Sequence, residues 1–273
     1  MTGSRYFSSP FERGFGTWPL RGEVLTAAVR SALAAGYRAF DTAQMYGNEE
    51  DLGAALADCG ADPEELLVTT KIHPDNVSAD RLIPSLRESL RRLRLPRADV
   101  VLLHWPPARD VGEAVRCLEE AVREGLARSI GVSNFTAAML HAAAKGVSTA
   151  LVANQVEFHP LIDQSKLLAA AAETSVPLVA YCSLARGAIS RFPLFTELGA
   201  DYGRTPAQIA LRWILQKGVA INTMSTKPEN IRANFDVMNF TLSSVDMARI
   251  DALGATGLRI VDRKAVPWAP EWD

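Results

Sequence analysis

The chain has 273 residues, 48% of them apolar, which suffices for a sizeable core in one barrel-sized unit. Lys and Arg number 29 against 31 Asp and Glu with no basic block, which argues against a nucleic-acid partner and against a membrane surface held by charge. The three cysteines are scattered and no apolar run approaches about 18 residues, so neither a disulfide framework nor a zinc site is indicated, no transmembrane span is expected, and a soluble cytoplasmic protein is expected.

In chain order, residues 14–18 form a short strand candidate ending in a turn. A helix is expected over 22–35, with Val24, Ala27, Ala28, Ala32 and Ala35 on its buried face and Gly36 as the left-handed residue that ends it. A strand over 39–42 precedes a helix over 49–59 that stops at Gly60. A strand over 66–71 precedes a Leu- and Arg-rich helix over 79–93, capped by Ser78 and carrying Pro84 inside it. Next come a strand over 99–104, a helix over 111–124 between Asp110 as cap and Gly125 as stop, and a strand over 128–132. Thr136 caps a helix to Lys145, 151–157 reads as a strand, Asp163 caps a helix to Ser175, and Pro177 opens a strand over 178–182. Residues 186–204 read as the longest irregular connection. Thr205 and Pro206 start a helix over 207–217, 219–223 is the eighth strand, and 227–235 and 245–253 are helical, the last capped by Ser243 or Ser244.

Apolar runs such as Val100-Val101-Leu102-Leu103 show no alternation, the pattern of parallel strands covered on both faces. Eight strand-helix units predict an α/β fold of the (β/α)8 barrel type, a single domain over 1–273 with a short C-terminal tail over 254–273. In such a barrel the active site lies at the C-terminal strand ends, where Asp41, Lys71 and His104 fall and where Tyr46 follows Asp41 on a loop. A tyrosine ordinarily titrates near about 10, and a lysine ammonium a few Å away is expected to lower that value. Lys71 can play this part while Asp41 keeps it charged, and His104 can orient a carbonyl oxygen. Together they can polarise a C=O and hand it a proton, half of a carbonyl reduction; the hydride must come from a nicotinamide cofactor.

Ordered motifs extend this reading. They are Gly-Tyr-Arg-Ala-Phe-Asp-Thr-Ala-Gln-Met-Tyr-Gly from Gly36, Thr-Thr-Lys from Thr69, Leu-Leu-His-Trp-Pro from Leu102, Ile-Gly-Val-Ser-Asn-Phe from Ile130, Asn-Gln-Val-Glu-Phe-His-Pro from Asn154 and Ala-Tyr-Cys-Ser-Leu from Ala180. In these the chain resembles the aldo-keto reductase superfamily over nearly its whole length, and its compact bacterial-type members most of all. The resemblance implies a catalytic tetrad of Asp41, Tyr46, Lys71 and His104, with Tyr46 as proton donor and NADPH or NADH as cofactor. It implies that Ser133, Asn134 and Gln155 hold the nicotinamide carboxamide, that Tyr181 stacks on the nicotinamide, and that Trp18 and Trp105 line the substrate mouth. Thr17, Cys182 and Leu184 are carried over as further cofactor contacts. No metal is expected, the partner is a small carbonyl compound, and the chain is expected to be a monomer.

After the eighth strand the chain departs from the superfamily's Ile-Pro-Lys-Ser and following arginine, with Asn222-Thr223-Met224-Ser225 and then Asn230. Those two cations grip the 2′-phosphate of NADPH, so weakened discrimination against NADH is expected, with Ser225 and Asn234 retained and Lys227 and Arg232 nearby. Trp268 and Trp272 are candidates to fold over the barrel and touch substrate, while His73 and His159 match no tetrad position. Two other readings stay open. One is a nucleotide-binding regulatory or scaffold barrel with little turnover. The other is a metal-free hydrolase using Asp41 and Glu157 as its carboxylate pair.

Overall fold

The computed structural model describes residues 5–60, 62–107 and 110–273. In them eight parallel strands close into a barrel in sequence order: β1 (Arg13–Gly16), β2 (Ala39–Asp41), β3 (Leu67–Ile72), β4 (Ala98–Leu103), β5 (Ala127–Ser133), β6 (Leu151–Glu157), β7 (Leu178–Tyr181) and β8 (Ala220–Thr223). The ring closes where β8 pairs with β1, Gly14 standing opposite Asn222. The expected (β/α)8 barrel is the fold. Around it run α1 (Gly22–Ala35), α2 (Glu49–Asp58), α3 (Leu82–Leu93), α4 (Val111–Arg123), α5 (Ala137–Lys145), α6 (Ser165–Thr174), α7 (Pro193–Tyr202), α8 (Pro206–Gln216), α9 (Pro228–Phe235) and α10 (Ser244–Asp251).

Local chemistry accounts for most boundaries. Asp110 accepts the Gly112 N–H at the start of α4, Thr136 accepts from Met139 at the start of α5, and Thr205 with Gln208 forms a reciprocal capping box on α8. Gly36 ends α1 at φ 106°, a conformation that costs a residue with a Cβ and costs glycine nothing. Inside the barrel Leu67, Val100, Leu102 and Val179 pack with Tyr6, whose hydroxyl accepts a 3.2 Å bond from Thr69. The N-terminal end of the barrel is thereby filled, and the C-terminal end is left to form a cleft.

Three expectations need correction. The buried face of α1 is Leu25, Ala28, Val29 and Ala32, while Val24 is 54% exposed. The alanines fit several faces equally well, and burying Leu25 and Val29 one turn apart removes more apolar surface than burying Val24 would. Helix α3 begins at Leu82, three residues later than expected, and Ser78 serves it through its backbone carbonyl, which accepts from Arg81 and Leu82, rather than through its hydroxyl. Pro84 then falls in the first turn, where its missing N–H has no intrahelical partner to lose. Residues 186–204 are not irregular: a 3-10 segment (Ala185–Arg191) leads into α7, which has Pro193 at its first position and Gly203 in the left-handed region at its end.

Candidate active site

The barrel brings three strand ends and one following turn to one point. Asp41 is the last residue of β2, Lys71 lies in β3, and His104 follows β4 directly. Tyr46 closes a 3-10 turn (Gln44–Tyr46) after β2. That turn is anchored by Gln44, whose amide nitrogen donates to Ser85 and Ser89 at 3.2 and 3.1 Å and whose oxygen accepts from the His73 N–H and Asn76 at 2.8 and 3.0 Å. With its hydrogen-bonding groups engaged on both sides, Gln44 leaves the loop little freedom, and the phenol two residues on is aimed accordingly.

The Lys71 side chain is 1% exposed, and its ammonium makes three contacts. It donates to Asp41 Oδ1 at 2.5 Å, to the Thr42 carbonyl at 3.0 Å and to Tyr46 Oη at 3.1 Å. Asp41 Oδ2 accepts from Gln155 Nε2 at 2.6 Å. Across the cleft the His104 ring meets the Tyr46 ring edge-on at 5.5 Å between centroids.

The electrostatics differ from the simple expectation at Tyr46. Desolvation raises its pKa, and Lys71, which opposes this, does not overcome it; Asp41 adds to the rise. Tyr46 therefore stays protonated at neutral pH, as a proton donor must. An ammonium this close can stabilise a phenolate at this position, should the proton leave. For Lys71 burial works to lower the pKa, but Asp41 and Tyr46 carry it above its ordinary value. His104 is held well below the usual histidine range by burial, with Lys71 and His73 adding to the effect. It is thus neutral at pH 7, able to donate from one ring nitrogen, and its buried Nδ1 has no partner among the described residues.

A pH dependence of stability follows. His104 binds a proton in the unfolded chain below about pH 6.5 but not in the folded one, so its contribution to stability is complete above that value and is lost as pH falls. Denaturant titrations between pH 7.5 and 5 should show a slope of up to about 1.4 kcal/mol per pH unit from this group, absent in His104→Asn. Equal slopes in the two proteins would overturn the assignment of His104 as a buried neutral imidazole.

A second set of side chains forms the opposite wall. Ser133 Oγ donates to the Gln155 carbonyl at 2.7 Å, and these two residues are partners in the β5–β6 register. Asn134 takes φ 64°, which turns its side chain so that Nδ2 donates to the His104 carbonyl at 2.9 Å while Oδ1 accepts from Tyr181 Oη at 2.6 Å. The Tyr181 ring is thus tethered at its hydroxyl end. A cleft of about 380 Å³ lies between the walls, lined by thirteen of the sequence-predicted residues: Asp41, Tyr46, His104, Thr17, Ser133, Asn134, Gln155, Tyr181, Cys182, Leu184, Met224, Trp18 and Trp105.

The chain matches the model of the aldo/keto reductase family over residues 14–255. It belongs to the aldo/keto reductase family. It is 39% identical to the methylglyoxal reductase DkgB of Escherichia coli O157:H7, over 95% of this chain and 98% of that protein. It is 41% identical to the aldo-keto reductase Rv2971 of Mycobacterium tuberculosis H37Rv, over 88% and 85%. Among solved structures it superposes with TM-score 0.87 on MGS-M4, an aldo-keto reductase from a deep-sea metagenome library, at 32% identity and over 92% and 93% of the two chains. This aldo/keto reductase is accordingly an oxidoreductase of aldehydes or ketones that uses NAD(P)H.

The remaining predicted residues lie elsewhere in the reductase. Lys71 sits behind the cleft wall, its ammonium reaching Tyr46 from within the barrel. Ser225 is half-buried and accepts from the Lys227 N–H, Asn230 is exposed on α9, and Asn234 is buried in the same helix; none of them lines the cleft. Asp41 and Glu157 do not form a carboxylate pair, because Asp41 is bonded to Lys71 and Gln155 while Glu157 is 0% exposed and bonded elsewhere. Trp268 is 56% exposed and Trp272 packs on Trp105; the tail residues that line the cleft are Val261 and Val266. Met45 and Arg186 also line it, Arg186 with its guanidinium 5.1 Å from the Trp18 ring centroid. The glycine after Arg186, at φ 89°, was the one local sign of a tight turn there.

Proposed function

We propose that the reductase acts on small carbonyl compounds through Asp41, Tyr46, Lys71 and His104, with the nicotinamide dinucleotide held along the wall of Ser133, Asn134, Gln155 and Tyr181. The observation that carries this reading is the single buried ammonium of Lys71, which joins Asp41 and Tyr46. Neutral His104, across from Tyr46, donates to the carbonyl oxygen and fixes its direction, and Tyr46 then gives that oxygen a proton. Lys71 meets the developing phenolate, and Asp41 keeps Lys71 charged and in place. The bound cofactor supplies the hydride.

The wall suits such a cofactor. The tethered Tyr181 ring offers a flat face, and Ser133 and Asn134 put hydroxyl and amide groups beside it. Gln155, with its side-chain nitrogen engaged by Asp41, has its side-chain oxygen Oε1 left for a ligand amide. Arg186, the one cation among the described residues lining the cleft, brings the positive charge a diphosphate requires.

The substrate end is apolar, built from Trp18, Met45, Trp105, Val261 and Val266. This favours a short carbonyl compound without a charged tail, of the kind named for the methylglyoxal reductase relatives. Steady-state turnover of methylglyoxal and of longer aldehydes with NADPH tests the assignment; a kcat/KM for methylglyoxal below that for every longer aldehyde would overturn it. The reading extends to a monomer in the cytoplasm, where Cys59, Cys117 and Cys182 remain thiols, and light scattering tests the first point.

At the adenosine end, Met224 is 40% exposed and Asn230 exposed, where related enzymes carry cations. Without them NADPH keeps only a modest advantage over NADH. Met224→Lys should tighten NADPH about 10-fold through one charge-assisted contact and leave NADH unchanged, as fluorescence titration would read. Equal changes for the two cofactors would contradict it.

A further inference from the structure

Glu157 ends β6 at the top of the barrel, is fully buried, and takes no part in the chemistry above. Its two carboxylate oxygens are used by other segments. Oε1 accepts the Ile260 N–H at 2.6 Å and Oε2 the Val261 N–H at 2.8 Å. Oε1 also lies 3.0 Å from His159 Nε2. His159 Nδ1 accepts the Leu161 N–H at 3.3 Å, so the ring proton must reside on Nε2 and point at Glu157. The Glu157 carbonyl is held as well, accepting from Gln164 at 2.7 Å. The carboxylate is therefore fixed from the barrel side and grips two successive backbone amides of the C-terminal segment.

Those two amides flank the point where the segment turns into the cleft. Val261 and, five residues on, Val266 line the pocket and pack with Trp105. The segment has other fastenings: the Leu258 N–H donates to the Leu161 carbonyl at 2.8 Å, Arg259 stacks on Trp272 at 4.2 Å, and Asp273 accepts the Ala137 N–H at 2.7 Å. Among the described fastenings of this segment to the barrel, the one from the fully buried Glu157 holds the backbone N–H of a pocket-lining residue itself.

We propose that Glu157 is the positioning residue that fixes the C-terminal segment as a wall of the substrate pocket, and so sets which carbonyl compounds the reductase accepts. It acts through Val261 and Val266 and touches no reacting atom. A glutamine in its place has the same shape but one acceptor instead of two, so its NH2 confronts one of the two backbone N–H groups and that fastening is lost. The inference rests on the cleft being the reductase site, which Tyr46→Phe tests independently.

The experiment compares wild type, Glu157→Gln, a chain ending at Gly257, and that shortened chain carrying Glu157→Gln. Each is assayed with methylglyoxal, with phenylglyoxal and for NADPH affinity, and each full-length chain is exposed to trypsin, which can cut this segment after Arg259, Arg263 and Lys264. Glu157→Gln should raise KM for methylglyoxal about 10-fold with kcat within about twofold, shift selectivity toward phenylglyoxal, and hasten cleavage of the tail. In the shortened chain the selectivity shift should already be present and the substitution should add nothing. Faster cleavage without a change in selectivity would show that the wall does not select substrate. An equal effect of Glu157→Gln with and without the tail, or a uniform loss of kcat and NADPH affinity, would show that Glu157 supports the barrel generally. If Glu157→Gln fails to fold, the shortened chain decides: unaltered selectivity there overturns the proposal.

Discussion

Tyr46→Phe should lower kcat by about 10²–10⁴-fold while NADPH affinity stays within about twofold of wild type. Among the described residues the phenol is the only proton donor that both lies in the cleft and touches the buried ammonium, at 3.1 Å from Lys71. Removing one oxygen leaves the ring, its edge-on contact with His104 and the loop held by Gln44 in place. The loss should therefore appear in the chemical step and not in binding. Single-turnover reduction followed at the NADPH absorbance separates the two. A variant that keeps its rate would show that another group protonates the product, and a variant that loses cofactor affinity would show that Tyr46 is part of the binding wall.

Lys71→Met should be the most damaging single change to both stability and rate. It leaves the Asp41 carboxylate, 4% exposed, with Gln155 as its remaining side-chain partner. Breaking a buried ion pair from one side costs about 3–5 kcal/mol, because a desolvated charge is left uncompensated. Methionine fills much of the same space, so the loss reflects charge rather than a cavity. Adding Asp41→Asn should restore a large part of the stability without restoring turnover, since the double variant buries no lone charge but has no cation to stabilise a phenolate. Urea unfolding and kcat, measured on both singles and the double, read these effects separately. Full recovery of rate in the double variant would remove Lys71 from the chemistry.

The barrel was legible because its signals are local. Strand β6 and helix α1 fall where apolar runs, caps and glycines put them, and Asp110, Thr136 and Thr205 cap as their positions predict. Helix α7 carries end signals in Pro193 and Gly203, but a region with several glycines and few long apolar runs masks its period. The buried face of α1 was harder, because alanine-rich helices carry weak directional information. Four polar groups at strand ends could be read as one site from the barrel topology alone. The direction of the Tyr46 shift could not, since it depends on how desolvation weighs against Lys71, and only coordinates supply that balance. Nor could Val261 and Val266, whose place in the cleft depends on a carboxylate about a hundred residues earlier in the chain.

Asp41 divides its two oxygens between Lys71 and Gln155. One neighbour belongs to the arm proposed to deliver the proton, the other to the arm proposed to hold the cofactor. Hydride and proton arrive at different atoms of the same carbonyl, yet the groups that aim them hang from one carboxylate. The site thus has one mechanical reference point. Through it, side chains from β3 and β6 are tied to the end of β2, so that three strands of the barrel share one anchor at its rim.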